Sequence, residues 1–296
     1  MSAPTLDDAD RVTGELIDTY LPIAQEADHR INPRRWRLAD YSAAEQGSVF
    51  RSYEDALQWM DSSASIIRGC IRIANALGRR EESWQYAEAT QSFFRVRKDF
   101  RSWRISHEVA EESARGCGPT AHARMLASLG ECHIWLEDTS VAEAYLQRAR
   151  SLWIKGHHVL GEASCLEALC MVEMKKGNPS KAREHASTAR DMFSRQARER
   201  GVVIATRRVG ETYLAEQDHR QALKSLEHAY DWFRATGDVY QQVRTGRSLV
   251  AALRGVGRPG EAHRVLQDLV GLAESIGAHT DAEELSLMTK PVTART

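Results

Sequence analysis

The sequence predicts an all-α protein, an α-solenoid of antiparallel helix pairs, and three observations carry that prediction. Apolar residues recur in columns forty residues apart: Leu129, Leu169, Val209 and Leu249, then Ala142, Ala182, Ala222 and Ala262. Two further columns keep the same phase, Leu146, Ala186, Leu226 and Leu266, and Ala149, Ala189, Ala229 and Leu269. A fixed period of this length means stacked supersecondary units, each burying its apolar side against the next. The second observation is the punctuation between columns. Glu137-Asp138-Thr139-Ser140, Gly177-Asn178-Pro179, Gln217-Asp218-His219 and Gly257-Arg258-Pro259 are polar or Gly/Pro-bearing turns separating stretches of helical apolar rhythm. Third, two of the columns are dominated by alanine, which lets helices cross closely, while the larger residues between them fill the remaining space.

In chain order, residues 1–52 form an N-terminal helix and connector. Leu16, Ile17, Tyr20, Leu21 and Ala24 give a helical rhythm to about Arg30, with a break or kink expected at Pro22. Asn32-Pro33-Arg34-Arg35-Trp36-Arg37 reads as a non-helical connector, and Gly47-Ser48 as a loop. Residues 53–118 hold degenerate helix pairs opening the array. Tyr53 to Leu77 reads as one or two buried helices ending at Gly78, followed by helices over Trp84–Phe94 and Trp103–Ala114. Residues 119–276 hold four clear repeats. First helices are predicted near 119–136, 158–176, 200–216 and 239–256, and second helices near 140–155, 179–198, 219–235 and 259–276. Pro119, Pro179 and Pro259 stand just inside three of these starts, where a missing N–H is tolerated. Residues 277–296 give a short cap helix with an apolar face of Ala282, Leu285, Leu287 and Met288, then a disordered tail after Lys290.

Composition narrows the function classes. Forty Lys plus Arg against 41 Asp plus Glu leave a net charge of −1, so there is no global attraction to nucleic acid or an anionic membrane. Five cysteines without a C-x-x-C pair argue against a disulfide framework or a structural zinc site and for a reducing, cytoplasmic setting. No basic, apolar leader opens the chain, and no apolar run reaches the roughly 18–20 residues that span a bilayer. There is no nucleophile elbow, no H-E-x-x-H and no glycine-rich phosphate cradle, so the reading is non-catalytic and without cofactor. The pairs Glu111-Glu112 and Glu283-Glu284 read as exposed helix surface, and His157-His158 and Cys117 with His122 are weak as metal ligands.

Val209-Gly210-Glu211-Thr212-Tyr213, followed by Ala222, Leu226 and Ala229, resembles the tetratricopeptide repeat. The usual tetratricopeptide unit is about 34 residues. The longer step is similar to the arrays at the C-terminal end of bacterial signal-transduction ATPases of the STAND class, including NB-ARC-containing antibiotic regulators and maltose-type activators. Residues 15–38 resemble the segment joining the winged-helix part of such regulators to their array, and Ala56-Leu57-Gln58-Trp59-Met60-Asp61 resembles the element that opens it. Ser63 and Ser65 stand where family members often carry Glu and Asn. The resemblance spans about residues 15–276 and implies a right-handed superhelix. No G-x-x-x-x-G-K-[ST] phosphate loop occurs, so the chain is expected to be either the sensor portion of such a regulator or a free-standing relative.

The resemblance also implies a concave face lined by the first helix of each pair. The forty-residue count places Glu88 and Arg95 there in the degenerate unit, then Arg124, Glu131, Ile134 and Trp135, then Glu167, Met171, Met174 and Lys175, then Arg207 and Glu211, then Arg244, Arg247 and Arg254. Forked guanidinium groups suit carboxylates and phosphates, so an acidic ligand is expected in the C-terminal half, in a groove without aromatics. Trp135 with Met171 and Met174 is either an adaptable apolar pocket or helix–helix packing. The expected role is a ligand- or protein-binding sensor in bacterial transcriptional or signal regulation. Its partner would be a protein or peptide, acidic in character, or a small-molecule effector, with no direct nucleic acid or membrane binding and homo-oligomerisation open. The alternative is a constitutive scaffold or dimerisation module.

Overall fold

A computed structural model describes residues 6–289, with side chains from residue 11. The described residues form helices and connections, with no strand among them. In order the helices are α1 (Leu6–Ile31), α2 (Ser42–Glu45), α3 (Tyr53–Ala76), α4 (Arg80–Arg97), α5 (Phe100–Ala114), α6 (Pro119–Trp135) and α7 (Thr139–Lys155). They continue as α8 (Val159–Lys175), α9 (Pro179–Arg195), α10 (Glu199–Ala215), α11 (His219–Thr236), α12 (Val239–Gly255), α13 (Pro259–Ser275) and α14 (His279–Thr289). The expected helices of the four repeats and the cap are present, and Pro119, Pro179 and Pro259 occupy the first helical positions of α6, α9 and α13. The expected disordered tail lies outside the described residues.

The chain divides into two compact units. The N-terminal unit runs to His158 apart from Val96–Lys98, and the C-terminal unit consists of that short segment and the residues from Val159 on. In the C-terminal unit each helix from α8 to α14 packs on the next, and α10 also touches α8 and α12. The first helices of the three pairs therefore share one face.

The turns repeat every twenty residues. Glu137, His157, Gly177, Ala197, Gln217, Gly237, Gly257 and Gly277 all have positive φ, between 51° and 79°. Each lies just past a helix, and the next residue's N–H bonds back five residues, as in Asp138 to His133 O at 3.0 Å and Asn178 to Glu173 O at 2.9 Å. This left-handed cap closes the last carbonyls of one helix and launches the next within three residues. Half of these positions are not glycine. That is why the sequence marks the forty-residue repeat clearly and the twenty-residue half-repeat poorly.

The four columns form the core. Ala142, Ala182, Ala222, Ala262, Leu146, Ala186, Leu226 and Leu266 have no exposed surface. Their sizes compensate across the helix crossing. A Cβ on Gly130 would lie 2.6 Å from Leu146 Cγ, and one on Gly210 would lie 2.7 Å from Leu226 Cγ. In the repeat between them, Cys170 replaces the glycine and Ala186 replaces the leucine, and the two sit in one buried cluster. In that repeat the larger side chain of the pair comes from the first helix instead of the second.

Two local expectations are corrected. Of the break or kink expected at Pro22, the break does not occur, since α1 runs through that residue without ending. Pro22 and Asp18, whose carbonyl loses its donor, are exposed, so water can serve that carbonyl, while buried Ile17, Ala24 and Ala27 anchor the helix on both sides. On α14, Ala282 and Leu285 are buried but Leu287 is 65% exposed, because its position on the helix turns it away from α13.

Candidate functional site

In the C-terminal unit the first-helix face carries a polar network. Arg208 of α10 donates from Nε to Glu167 of α8 and from Nη1 to Glu211 at 2.8 Å, and its Nη2 lies 2.6 Å from Met171 Sδ. Ser248 of α12 donates to the other oxygen of Glu211 at 3.3 Å. Arg207 donates from Nη1 to Gln241 Oε1 at 3.0 Å, and its Nε stands 3.6 Å from Glu211. Three helices thus contribute to one cluster of Glu167, Met171, Arg207, Arg208, Glu211, Gln241 and Ser248.

The electrostatics of this cluster are uneven. Burial pushes the Glu211 carboxyl up, but Arg208 and Arg207 outweigh it and hold it down at about 2. Glu167 is lowered by the same two arginines against burial. Arg207 goes the other way: burial, then the positive charges of Arg244 and Arg208, push its guanidinium down to about 9. Only 1% of Arg207 is exposed, and its Nε and Nη2 have no hydrogen-bond acceptor. A buried guanidinium with two unused donors costs stability unless something accepts from it.

The remaining expected groove residues of this unit lie around that cluster or beyond it. The Arg244 guanidinium lies 5.8 Å from the centre of the Tyr240 ring, so an aromatic does border this face, contrary to expectation. Arg247 pairs with Glu284 at 2.8 Å and Asp281 at 3.4 Å on α14, and Arg254 donates to Met288 O at 3.3 Å. Lys175 is exposed at the end of α8. Glu284 is thus an ion-pair partner and not free surface, as is Glu111, which is buried and holds Arg115 at 2.6 Å and His122 at 2.7 Å.

In the N-terminal unit the corresponding face, on α4 and α6, is covered. Arg124 donates to Glu88 at 2.7 Å and to Gln91 at 2.7 Å, and both charged side chains are almost fully buried. Burial lowers the Arg124 pKa, with Glu88 opposing that shift. The connector after α1 lies on these groups. Arg35 reaches Gln91 at 2.7 Å, Asp28 at 2.8 Å and the Glu88 carbonyl at 2.9 Å. The Glu88 carboxylate accepts the backbone N–H groups of Leu38 at 2.9 Å and Ala39 at 3.0 Å. Arg124 therefore holds the chain's own connector, where the sequence suggested a contact for a ligand. Glu131 pairs with Arg95, and Gln91 donates to it at 3.1 Å. Ile134 is buried, and Trp135 stacks on Phe100 with ring centres 5.6 Å apart and planes 7° apart, which is packing between α5 and α6.

Sequence reasoning missed Asp28, Gln91 and Gln241 as members of these clusters. The signal for the first was Arg-Arg-Trp-Arg, a dense set of donors a few residues from Asp28. His158 packs on Trp153 at 4.6 Å, and His122 is engaged by Glu111. Among the described residues no three His, Cys, Asp or Glu side chains gather as a metal site, and no helix is long and apolar enough to cross a membrane.

The fold and its capped helix hairpins define a tetratricopeptide-like α-solenoid. No family model and no curated protein matches the sequence. Among solved structures, the chain is similar to a Rap protein complexed with competence and sporulation factor, at 14% identity and a TM-score of 0.67, covering 94% of this chain and 81% of that one. It is similar to aspartyl phosphate phosphatase F from Bacillus subtilis, at 11% identity and a TM-score of 0.57, covering 97% and 80%. It also resembles a STAND protein with a tetratricopeptide repeat sensor from Pyrococcus horikoshii, at 13% identity and a TM-score of 0.51, covering 96% of this chain and 55% of that one. At these identities the likeness speaks to the fold.

Proposed function

We propose that the chain is a non-catalytic sensor or interaction module of bacterial signal or transcriptional regulation, and that the first-helix face of its C-terminal unit takes an anionic ligand, either an acidic peptide or partner segment or a small carboxylate effector. The observation carrying this reading is Arg207, a buried guanidinium with two unused donors in a cluster of two arginines and two glutamates to which nearby Arg244 adds a third positive charge. A carboxylate there would accept from Nε and Nη2 in the forked geometry that suits arginine, and would offset the charge that Arg244 and Arg208 impose. Because Arg207 is enclosed, entry requires the face to open. Ligand binding is thereby tied to a change in how α8, α10 and α12 pack, and a preference of about 1–3 kcal/mol for one packing over the other would suffice for a switch. Two of the similar structures lend the reading support, since one was solved with competence and sporulation factor and another carries the fold as a sensor.

The test is a thermal-shift screen of acidic peptides and di- and tricarboxylates against the wild-type chain and against Arg207→Ala with Arg247→Ala. The reading expects ligands that raise the wild-type Tm and lose their effect in the double variant. Stabilisation that survives both substitutions would remove the arginines from the account. Concentration-dependent self-association with no ligand effect would favour a constitutive scaffold.

A further inference from the structure

The connector Asn32–Tyr41 has the character of a bound peptide. It is not helical; Arg37 is held locally by Asp28 and the carbonyls of Asp28, Asn32 and Arg35, while Arg35, Leu38 and Ala39 reach Gln91 and Glu88 of α4, far away in sequence. Arg35 and Arg37 are 9% and 6% exposed in their side chains, and both reach Asp28, which is fully buried, at 2.8 and 2.7 Å. Burial raises the Asp28 carboxyl, but the two guanidinium groups outweigh it and hold it below the usual range. Between these arginines, Trp36 enters a setting of three partners: the Arg124 guanidinium 4.9 Å from its ring centre, His158 at 5.4 Å, and Trp153 edge-on at 6.0 Å. Glu88 then captures two successive backbone N–H groups, of Leu38 and Ala39. Main-chain capture, an aromatic anchor in a pocket and charge-matched flanks are how folded domains read extended peptides.

The fit is incomplete. Arg35 Nε, on the connector, and Trp153 Nε1, on the receiving face, are buried without a hydrogen-bond acceptor. A competing segment that placed a carbonyl at the Trp153 indole would gain a bond the connector leaves unmade.

We propose that the first-helix face of the N-terminal unit is a peptide-recognition surface for an extended segment with a tryptophan flanked by arginines, and that the chain's own residues 34–39 occupy it in cis. The partner this face fits is a protein with an exposed Arg-x-Trp-Arg-like or Arg-Trp-Arg segment. Tethering gives the resident connector an effective concentration on the order of millimolar, so a partner binds observably only when it is concentrated or when the connector is weakened. This inference concerns the N-terminal unit and stands apart from the ligand reading of the C-terminal one.

The test uses the full chain and a fluorescent synthetic peptide of residues 31–41, followed by anisotropy. The Arg35→Ala, Trp36→Ala double variant weakens the connector and leaves Glu88, Gln91, Arg124 and Trp153 in place. It should bind the peptide on the order of tenfold or more tightly than the wild type, as release from an internal competitor requires. A peptide carrying Trp36→Ala and Arg37→Ala should not bind. A folded double variant that ignores the peptide, or binds both peptides equally, overturns the proposal. Should the double variant fail to fold, hydrogen exchange on the wild type decides. Excess peptide should speed exchange at the Leu38 and Ala39 amides while α6 and α7 stay protected, and unchanged exchange at those two amides overturns the proposal.

Discussion

The first-helix faces of the two units begin from the same repeat position and arrive at different states. Glu88, Glu167 and Arg207 are equivalents by the repeat count, and each sits at the centre of a polar cluster. In the N-terminal unit Glu88 is satisfied by Arg124 and by two amides of the connector. In the C-terminal unit Arg207 is enclosed with two donors unmet. The repeat supplies the scaffold and the position, and the partners differ: Glu88 accepts two backbone amides, Glu167 meets Arg208, and Arg207 keeps two donors unmet.

The largest expected effect tests whether the N-terminal cluster is as tightly closed as its geometry implies. Glu88→Ala removes the carboxylate from a buried Arg124 and from two amides, and should cost about 3–5 kcal/mol in urea denaturation, the range for breaking a buried pair on one side. Glu211→Ala should cost less, about 1–3 kcal/mol, because Arg208 keeps Glu167 and Arg207 keeps Gln241. Equal costs would erase the distinction between the faces.

Packing predicts the next effect. Gly130→Ala forces Leu146 aside and should destabilise by about 1–3 kcal/mol. Adding Leu146→Ala should recover part of that loss, since Cys170 with Ala186 is the chain's own version of the exchange. A double-mutant cycle with no coupling would contradict the compensation.

Acid should separate the units. Glu211 and Glu167 have lowered values in the fold, so they stabilise it above their ordinary value of 4.5, and Glu211's share is lost as pH falls toward about 2. Asp28 is also lowered, from an ordinary value of 3.8, so its loss begins at lower pH. Hydrogen exchange followed from pH 5 downward, a window set by these values, should show α8, α10 and α12 loosening before the connector amides. The smallest effect is a gain. Ala197→Gly at φ 51° should stabilise the C-terminal unit by about 0.5–1 kcal/mol, the relief of a left-handed Cβ less the entropy of glycine.

The fold was legible because burial repeats: Ala182, Ala186, Ala222 and Leu226 all lose their whole exposed surface at forty-residue steps, so the sequence shows the column. The sites were legible only as positions. Counting from Leu129 places Arg124 and Arg207 at first-helix positions, but whether a guanidinium there meets solvent, a partner helix or a distant stretch of backbone depends on residues with no fixed spacing to it. Arg35 and Gln91 are fifty-six residues apart in sequence and bonded in space. Pro22 leaves α1 unbroken for a related reason, since its effect depends on which side of α1 faces water.

The contrast between the two faces, one filled by the chain itself and the other proposed to take an anion, is open to measurement. Hydrogen exchange across both units, with and without a saturating glutamate-rich hexapeptide, tests it most directly. New protection is expected to be confined to α8, α10 and α12 and abolished by Arg207→Ala, while α4, α6 and the connector stay unchanged. Protection appearing on α4 and α6, or surviving Arg207→Ala, would contradict it.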